Sequence, residues 1–268
     1  MTGKLADVID AYYAEWMFNQ EQFAVDKIGF YNIGYWKGVA DSLELAQLNL
    51  METLLSFFAN TDGNVVDVAC GKGATTRFLT KYFDAKSVTG INISERQLQV
   101  ARAIAPDCNF RLMDATQLNF GDASFDNVLC VEAAFHFLTR HQFLQEAYRV
   151  LKPGGRLAMT DFLMDYDAIA RFVDTDVVPP SMKKTSLAAF PRENYLPNLE
   201  AYREDMLKIG FKHVRLEDMT ALSWDAFFNS YLVKKAEAER EFEKKRDYRR
   251  LMTYPRTCIA SCLVYAIK

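Results

Sequence analysis

The apolar positions of this chain change period twice. Over residues 5–60 they recur at helical spacing, first as Leu5, Val8, Ile9, Tyr12, Tyr13 and Trp16, then as Leu43, Leu45, Leu48, Leu50, Leu54, Leu55 and Phe58. Between them lies GFYNIGYWKG, a loop dense in aromatics and glycine. From residue 64 short apolar runs alternate with amphipathic stretches. The pattern predicts strand 64–69, helix 74–83, strand 87–92, helix 94–104, strands 108–112 and 125–131, helix 139–150 and strand 155–162. Such alternation implies a doubly wound α/β fold, a mostly parallel sheet with helices on both faces. Ser94 followed by Gln97 reads as a capping box, and LKPGG after residue 150 as a helix stop with a tight turn.

Past residue 165 the alternation loosens. Residues 165–200, with Pro179, Pro180, Pro191 and Pro197, read as an inserted cap of short helices. A helix over 199–209 ends at Gly210, and FKHVRLEDMT reads as a strand. VKKAEAEREFEKKRDYRR, Val233 to Arg250, alternates charge at helical spacing and predicts a solvated helix face; CIASCLVYAIK predicts a last buried strand. The expected organisation is a helical lid over 1–60, with Gly29, Gly34 and Gly38 as hinges, and one domain over 61–268 carrying the cap.

At 268 residues the chain suits one core with insertions. Its formal charge of −3, from 32 basic and 35 acidic side chains, offers no positive field to gather phosphate backbones, so no nucleic-acid partner is expected. No apolar run reaches membrane-spanning length and acids interrupt the first residues, so the expectation is a cytoplasmic protein without a signal peptide. The five cysteines form no CxxC pair, which predicts reduced thiols and no metal site. His141 and His213 read as surface or packing residues.

The chemistry concentrates after the first strand. In VVDVACGKGATT two glycines, Gly71 and Gly73, follow an apolar strand bearing Asp67, as they would where a ligand lies against backbone. Two readings compete there, a dinucleotide or another adenosine ligand such as S-adenosylmethionine. Thr76 stands at the third glycine position and weakens the pyrophosphate reading. Asn92, about 20 residues on, occupies the slot that binds ribose hydroxyls in such folds. Asp114 and Ala115 end the third strand, where a carboxylate can accept from an exocyclic amine; Glu132 and His136 follow the fourth strand at the same sheet edge.

Together DVACGKG, GINISERQL, MDATQL, SFDNVLCVEAAFHF and EAYRVLKPGGRLAMTDF resemble class I S-adenosylmethionine-dependent methyltransferases, in the small-molecule branch of sterol, quinone and natural-product enzymes. The resemblance covers roughly residues 60–165. It implies a seven-stranded Rossmann-like sheet, S-adenosylmethionine as cofactor with S-adenosylhomocysteine as product, no metal, and a small, largely apolar or aromatic acceptor methylated on oxygen, nitrogen or carbon. It assigns Asp67, Ala69, Gly71 and Gly73 to the methionine moiety, Asn92 and Ile93 to the ribose and adenine, and Asp114 and Ala115 to the adenine; Gln97 and Glu132 join the cofactor set. Ala69 replaces the more usual glycine and Asn92 the more usual acid. Tyr35 and Trp36, with Tyr31 in FYNIGYW, are expected at the methionine end. Tyr12, Tyr13, Phe135, His136 and Phe162 are expected around the acceptor, with His136 as general base and Glu132 fixing its tautomer if 132–136 is helical. A different class of function fits the same motifs, a methyltransferase fold that keeps the cofactor as a structural ligand and acts as a cyclase or binding protein. A homodimer is also compatible.

Overall fold

A computed structural model describes residues 2–15, 29–38, 42–174, 180–231 and 257–268. The charged segment 233–250, Trp16 and Pro179 lie outside the described residues. Seven strands form one sheet in the order β3-β2-β1-β4-β5-β7-β6. They are β1 (Val65–Val68), β2 (Val88–Asn92), β3 (Asn109–Leu112), β4 (Phe125–Val131), β5 (Leu151–Met164), β6 (Lys212–Asp218) and β7 (Cys258–Ile267). The pairs β1–β2, β1–β4, β2–β3 and β4–β5 are parallel, and β7 runs antiparallel between β5 and β6.

Burial explains the order. All four residues of β1 are buried, as expected of a central strand covered on both faces, whereas edge strand β3 is largely exposed. Helices α1 (Thr2–Glu15), α2 (Leu43–Leu55), α3 (Ala74–Leu79), α4 (Glu95–Ile104), α5 (Arg140–Val150), α6 (Tyr166–Val173), α7 (Pro180–Ala188) and α8 (Leu199–Ile209) surround it. One face of the sheet packs on Phe143, Leu144, Ala147, Tyr202 and Met206 of α5 and α8. The other packs on Leu50 and Leu54 of α2 and on Phe78 and Leu79 of α3. A third cluster, at the end of β5, joins Tyr12 of α1 to Phe135, Phe162, Ile169, Phe190 and Trp224.

Two expected elements change length. The helix expected over 74–83 stops at Leu79, where Thr80 to Phe83 close short turns and Asp84 caps the next one. Strand β5 starts earlier than 155. Leu151 already pairs with Phe125, and the register then jumps to Asn127 and Arg156. Pro153 and Gly154, the latter at φ +77°, fall in that irregular stretch, which is where a strand tolerates a residue without an N–H. Among the expected hinges, Gly34 is a packing glycine. A Cβ there would lie 2.7 Å from Cβ of Ala46 on α2.

Candidate active site

The sheet order reverses between β1 and β4, and in open α/β sheets ligands settle beyond the carboxyl ends of the strands at such a point. A cleft opens there. Its floor is built from successive strand ends: Ala69 and Gly71 after β1, Ile91 to Ile93 at β2, Met113 to Ala115 after β3, and Val131 to Ala133 at β4. Leu5 and Ile9 of α1, Tyr31, Gln97, His136 and Phe137 close it. Helix α1 is tied over this edge by the Ser94 hydroxyl, which donates to Asp10 Oδ1 at 2.6 Å while also accepting the Gln97 N–H as the α4 cap.

The glycine loop divides its labour. Gly71 lines the cleft at φ +54°, and a Cβ on it would stand 3.4 Å from the Tyr31 ring. Ala69 holds φ +58°, the left-handed region that favours glycine, so the residue type common in the family suits this backbone better than alanine does. Gly73 does not line the cleft. Its φ is +85° and a Cβ there would lie 2.7 Å from Cβ of Ala101, so it is bare to let α3 meet α4. Asp67 also stands behind the loop. Its Oδ2 accepts from the Thr75 and Thr76 hydroxyls, each at 2.6 Å, and burial pushes its carboxyl up to about 6 despite them. Both residues shape the loop and neither faces the cleft.

Along the next two strands the expected residues Asn92, Ile93, Asp114 and Ala115 all line the cleft. Asn92 donates to the Gly71 carbonyl at 3.4 Å and to Gln97 Oε1 at 2.8 Å, while its Oδ1 accepts the Ile93 N–H. The amide therefore braces the glycine loop from β2. Asp114 Oδ1 accepts from the N–H and hydroxyl of Thr116, both at 2.8 Å. Its Oδ2 is buried without a hydrogen-bond partner. An unpaired buried acceptor is costly unless a ligand supplies a donor.

The end of β4 departs from expectation. Residues Ala134–His136 form one 3-10 turn, so Glu132 and His136 do not share a helix face. The residue that orients the imidazole is Ala189, whose carbonyl lies 2.6 Å from His136 Nδ1. A carbonyl only accepts, so the proton sits on Nδ1 and the lone pair on Nε2. Burial lowers His136 to about 4, the carbonyl pulling weakly the other way, and the ring stays neutral. Glu132 instead accepts the Ile33 N–H on Oε2 at 3.0 Å.

The aromatic expectations separate in the same way. Tyr31 lines the cleft, and Lys72 Nζ lies 5.3 Å from its ring centroid. Tyr35 and Trp36 do not line it. Tyr35 packs against the α2 side of the sheet, and the Trp36 indole donates to the Ile33 carbonyl at 3.0 Å while its ring joins the Tyr12 cluster. Around His136 the structure gathers Tyr12 at 5.5 Å, Phe135 at 4.0 Å and Phe190 at 5.2 Å between ring centroids, with Phe162 5.1 Å from Phe135. The Tyr13 side chain lies outside the described residues.

A buried network behind this wall has no counterpart among the expected residues. The Arg140 guanidinium donates to Asp161 Oδ2 at 2.5 Å, to the Asn194 carbonyl and to the Phe162 carbonyl; Tyr202 adds a hydrogen bond to Asp161 at 3.0 Å. Asn194 in turn donates to the carbonyls of Ala134, Phe135 and Phe137. The cap is thus stapled to the turn that carries His136. A lone acid inside the apolar run RLAMTDFLM was the signal that could have exposed it.

A model of the methyltransferase domain family matches residues 66–159. The O-methyltransferase cnsE of Penicillium expansum is 30% identical over 209 residues, 68% of this chain and 75% of that protein. Erythromycin 3''-O-methyltransferase of Saccharopolyspora erythraea is 29% identical over 214 residues, 76% of this chain and 68% of its own. The cyclopropane synthase MmaA2 from Mycobacterium tuberculosis superposes with a TM-score of 0.72 at 19% identity over 98% of each chain, a likeness of fold. The cleft fits the cofactor of this family, because Gly71 leaves the floor bare and Asp114 Oδ2 offers a buried acceptor to an exocyclic amine. Among the described residues no helix is long and apolar enough to cross a membrane, and no group of three or more His, Cys, Asp or Glu could hold a metal ion. The chain belongs to the class I S-adenosylmethionine-dependent methyltransferases, in the branch that acts on small molecules.

Proposed function

We propose that the acceptor atom is a hydroxyl oxygen on a largely apolar small molecule, and that His136 receives its proton. The carrying observation is the placement of the imidazole: neutral, oriented through Nδ1 by the Ala189 carbonyl, lining the cleft and in ring contact with Tyr12. When bound, S-adenosylmethionine supplies an electrophilic methyl on a sulfonium, and alignment of an acceptor with it is worth about 7–11 kcal/mol of the barrier. Ala69, Gly71, Asn92, Ile93, Gln97, Asp114 and Ala115 would hold it along the strand ends. Tyr12, Phe135 and Phe162 would give the acceptor an apolar wall, with α1 and the Gly29–Gly38 segment as the lid.

A base of low basicity suffices for this task. An ordinary hydroxyl resists deprotonation, but its oxygen becomes strongly acidic as the new carbon bond forms, so an imidazole near 4 can take the proton at that moment. Such a base stays active until acid protonates it, and the acid limb of kcat should fall near about 4, below the usual histidine range. The test is His136→Gln with a panel of phenols and macrocyclic or polyketide alcohols. Loss of the base should lower kcat by about 10²–10⁴-fold with cofactor affinity intact. A loss under about threefold would leave positioning as the whole mechanism.

A further inference from the structure

The end of β4 places a second group in the cleft. Glu132 is 8% exposed and holds φ +48°, a left-handed backbone that is uncommon for a residue with a long side chain. Strain of this kind at a strand end aims a side chain where an extended backbone would not. Its N–H donates to the Thr160 carbonyl and hydroxyl of β5, which holds the turn in place. One carboxylate oxygen, Oε2, accepts the Ile33 N–H; the other, Oε1, is buried without a hydrogen-bond partner.

We propose that Glu132 is the receptor for the α-ammonium group of S-adenosylmethionine, taking it on Oε1 while Oε2 keeps the Ile33 N–H. One carboxylate would then join cofactor capture to the seating of the Gly29–Lys37 segment. The inference rests on the cofactor reading above. Two observations give it direction. The orphaned acceptors Asp114 Oδ2 and Glu132 Oε1 stand after β3 and at the end of β4, three strand spacings apart, about 14 Å. A long cofactor laid across the strand ends would have its adenine amine at one orphan and its amino-acid end at the other. Val131, next to Glu132, also lines the hollow between the Gly29–Asn32 segment and the glycine loop, so this is the loop end of the cleft.

The groups around Glu132 favour a cation. They are the Asp161 carboxylate of β5, itself paired with Arg140, the neutral His136 ring, and the Ile33 amide; Lys72 of the glycine loop sits over Tyr31. Burial pushes the Glu132 carboxyl up to about 8, against the Ile33 hydrogen bond and with a smaller push from Asp161. Without a cation it therefore carries its proton near neutral pH. Pairing with the ammonium ionises it: the O–H bond breaks, the electron pair stays on the carboxylate, and the proton leaves to buffer.

Calorimetry reads that proton directly. At about pH 6.5, below both this carboxyl and the ordinary α-amino range, titrations run in two buffers of different ionisation enthalpy should show close to one proton released per S-adenosylmethionine or S-adenosylhomocysteine bound. 5′-Methylthioadenosine, which keeps the adenosine and lacks the amino-acid end, should bind with none released. Glu132→Gln preserves shape and an acceptor for Ile33. It should abolish the release and weaken S-adenosylmethionine by about 10- to 100-fold, the range of a charged hydrogen bond, while 5′-methylthioadenosine binds as before. Wild-type affinity for S-adenosylmethionine in a folded Glu132→Gln, or an equal loss of 5′-methylthioadenosine binding, overturns the proposal alone. Failure of all three ligands to bind the wild type overturns the cofactor reading as well.

Discussion

The two sides of this molecule are held by opposite means. On the β1–β3 side, most of the bonds that shape the cleft join residues close in sequence: Thr75 and Thr76 to Asp67, Asn92 to Gln97, Thr116 to Asp114. On the cap side the bonds are long-range, Ile33 to Glu132, His136 to Ala189 and Arg140 to Asn194. The first side is a loop-and-cap device that any chain with those short motifs rebuilds. The second exists only when three separate segments meet, around Ile33, over 132–140 and over 189–194, so a change in one reaches the others.

Breaking the long-range side should cost most. Arg140→Ala leaves Asp161 buried without its cation, and such a break is worth about 3–5 kcal/mol. Urea unfolding of the purified variant checks this, and a loss under about 1 kcal/mol would mean that the staple holds little. Next in size comes a pH effect in the cofactor-free protein. Folded Glu132 keeps, between its ordinary 4.5 and about 8, a proton that the unfolded chain has lost, so stability falls as pH rises through that window. Asp67, raised from 3.8 to about 6, acts in the same direction at lower pH. His136, lowered from 6.5 to about 4, acts oppositely, its contribution rising between those values. Above about 6.5 Glu132 is the one of the three still titrating, so stability should decline toward pH 8 by up to about 1.4 kcal/mol per unit. Melting temperatures across that range would show it, and Glu132→Gln should flatten the slope. The smallest effect belongs to the local side: Asp114→Ala removes one acceptor from a neutral amine and should weaken cofactor binding by about 0.5–1.5 kcal/mol. Unchanged affinity with collapsed turnover would move Asp114 to the acceptor.

This division also decides what was legible in the sequence. Strands β1 to β4, the Ser94 cap of α4 and the Gly210 stop of α8 were readable because each is written in a few adjacent residues, and Gly210 indeed holds φ +120°; the Gln97 half of the expected capping box is instead spent on Asn92. The five ordered motifs named the family before any contact was visible. What the sequence hid is orientation. Gly71 and Gly73 look alike in CGKG, yet one faces the cleft and the other faces Ala101. Tyr31, Tyr35 and Trp36 share one short segment, and the turn of the backbone alone sends the first inward. Nothing local tells Asn194 that its partners are the carbonyls of residues about 60 positions earlier.

The bond between His136 and Ala189 matters to anyone who would retarget this enzyme by transplanting its cap. Segment 165–198 begins and ends at helix caps, Asp165 and Asn198, and invites replacement as a cassette. A donor cassette whose backbone turns the carbonyl at the Ala189 position away would hand the recipient an imidazole able to take the other tautomer. One without an amide at the Asn194 position would free the turn beneath it. Grafts should therefore be chosen first by the backbone path at 189 and the side chain at 194, and by the shape of the new pocket second.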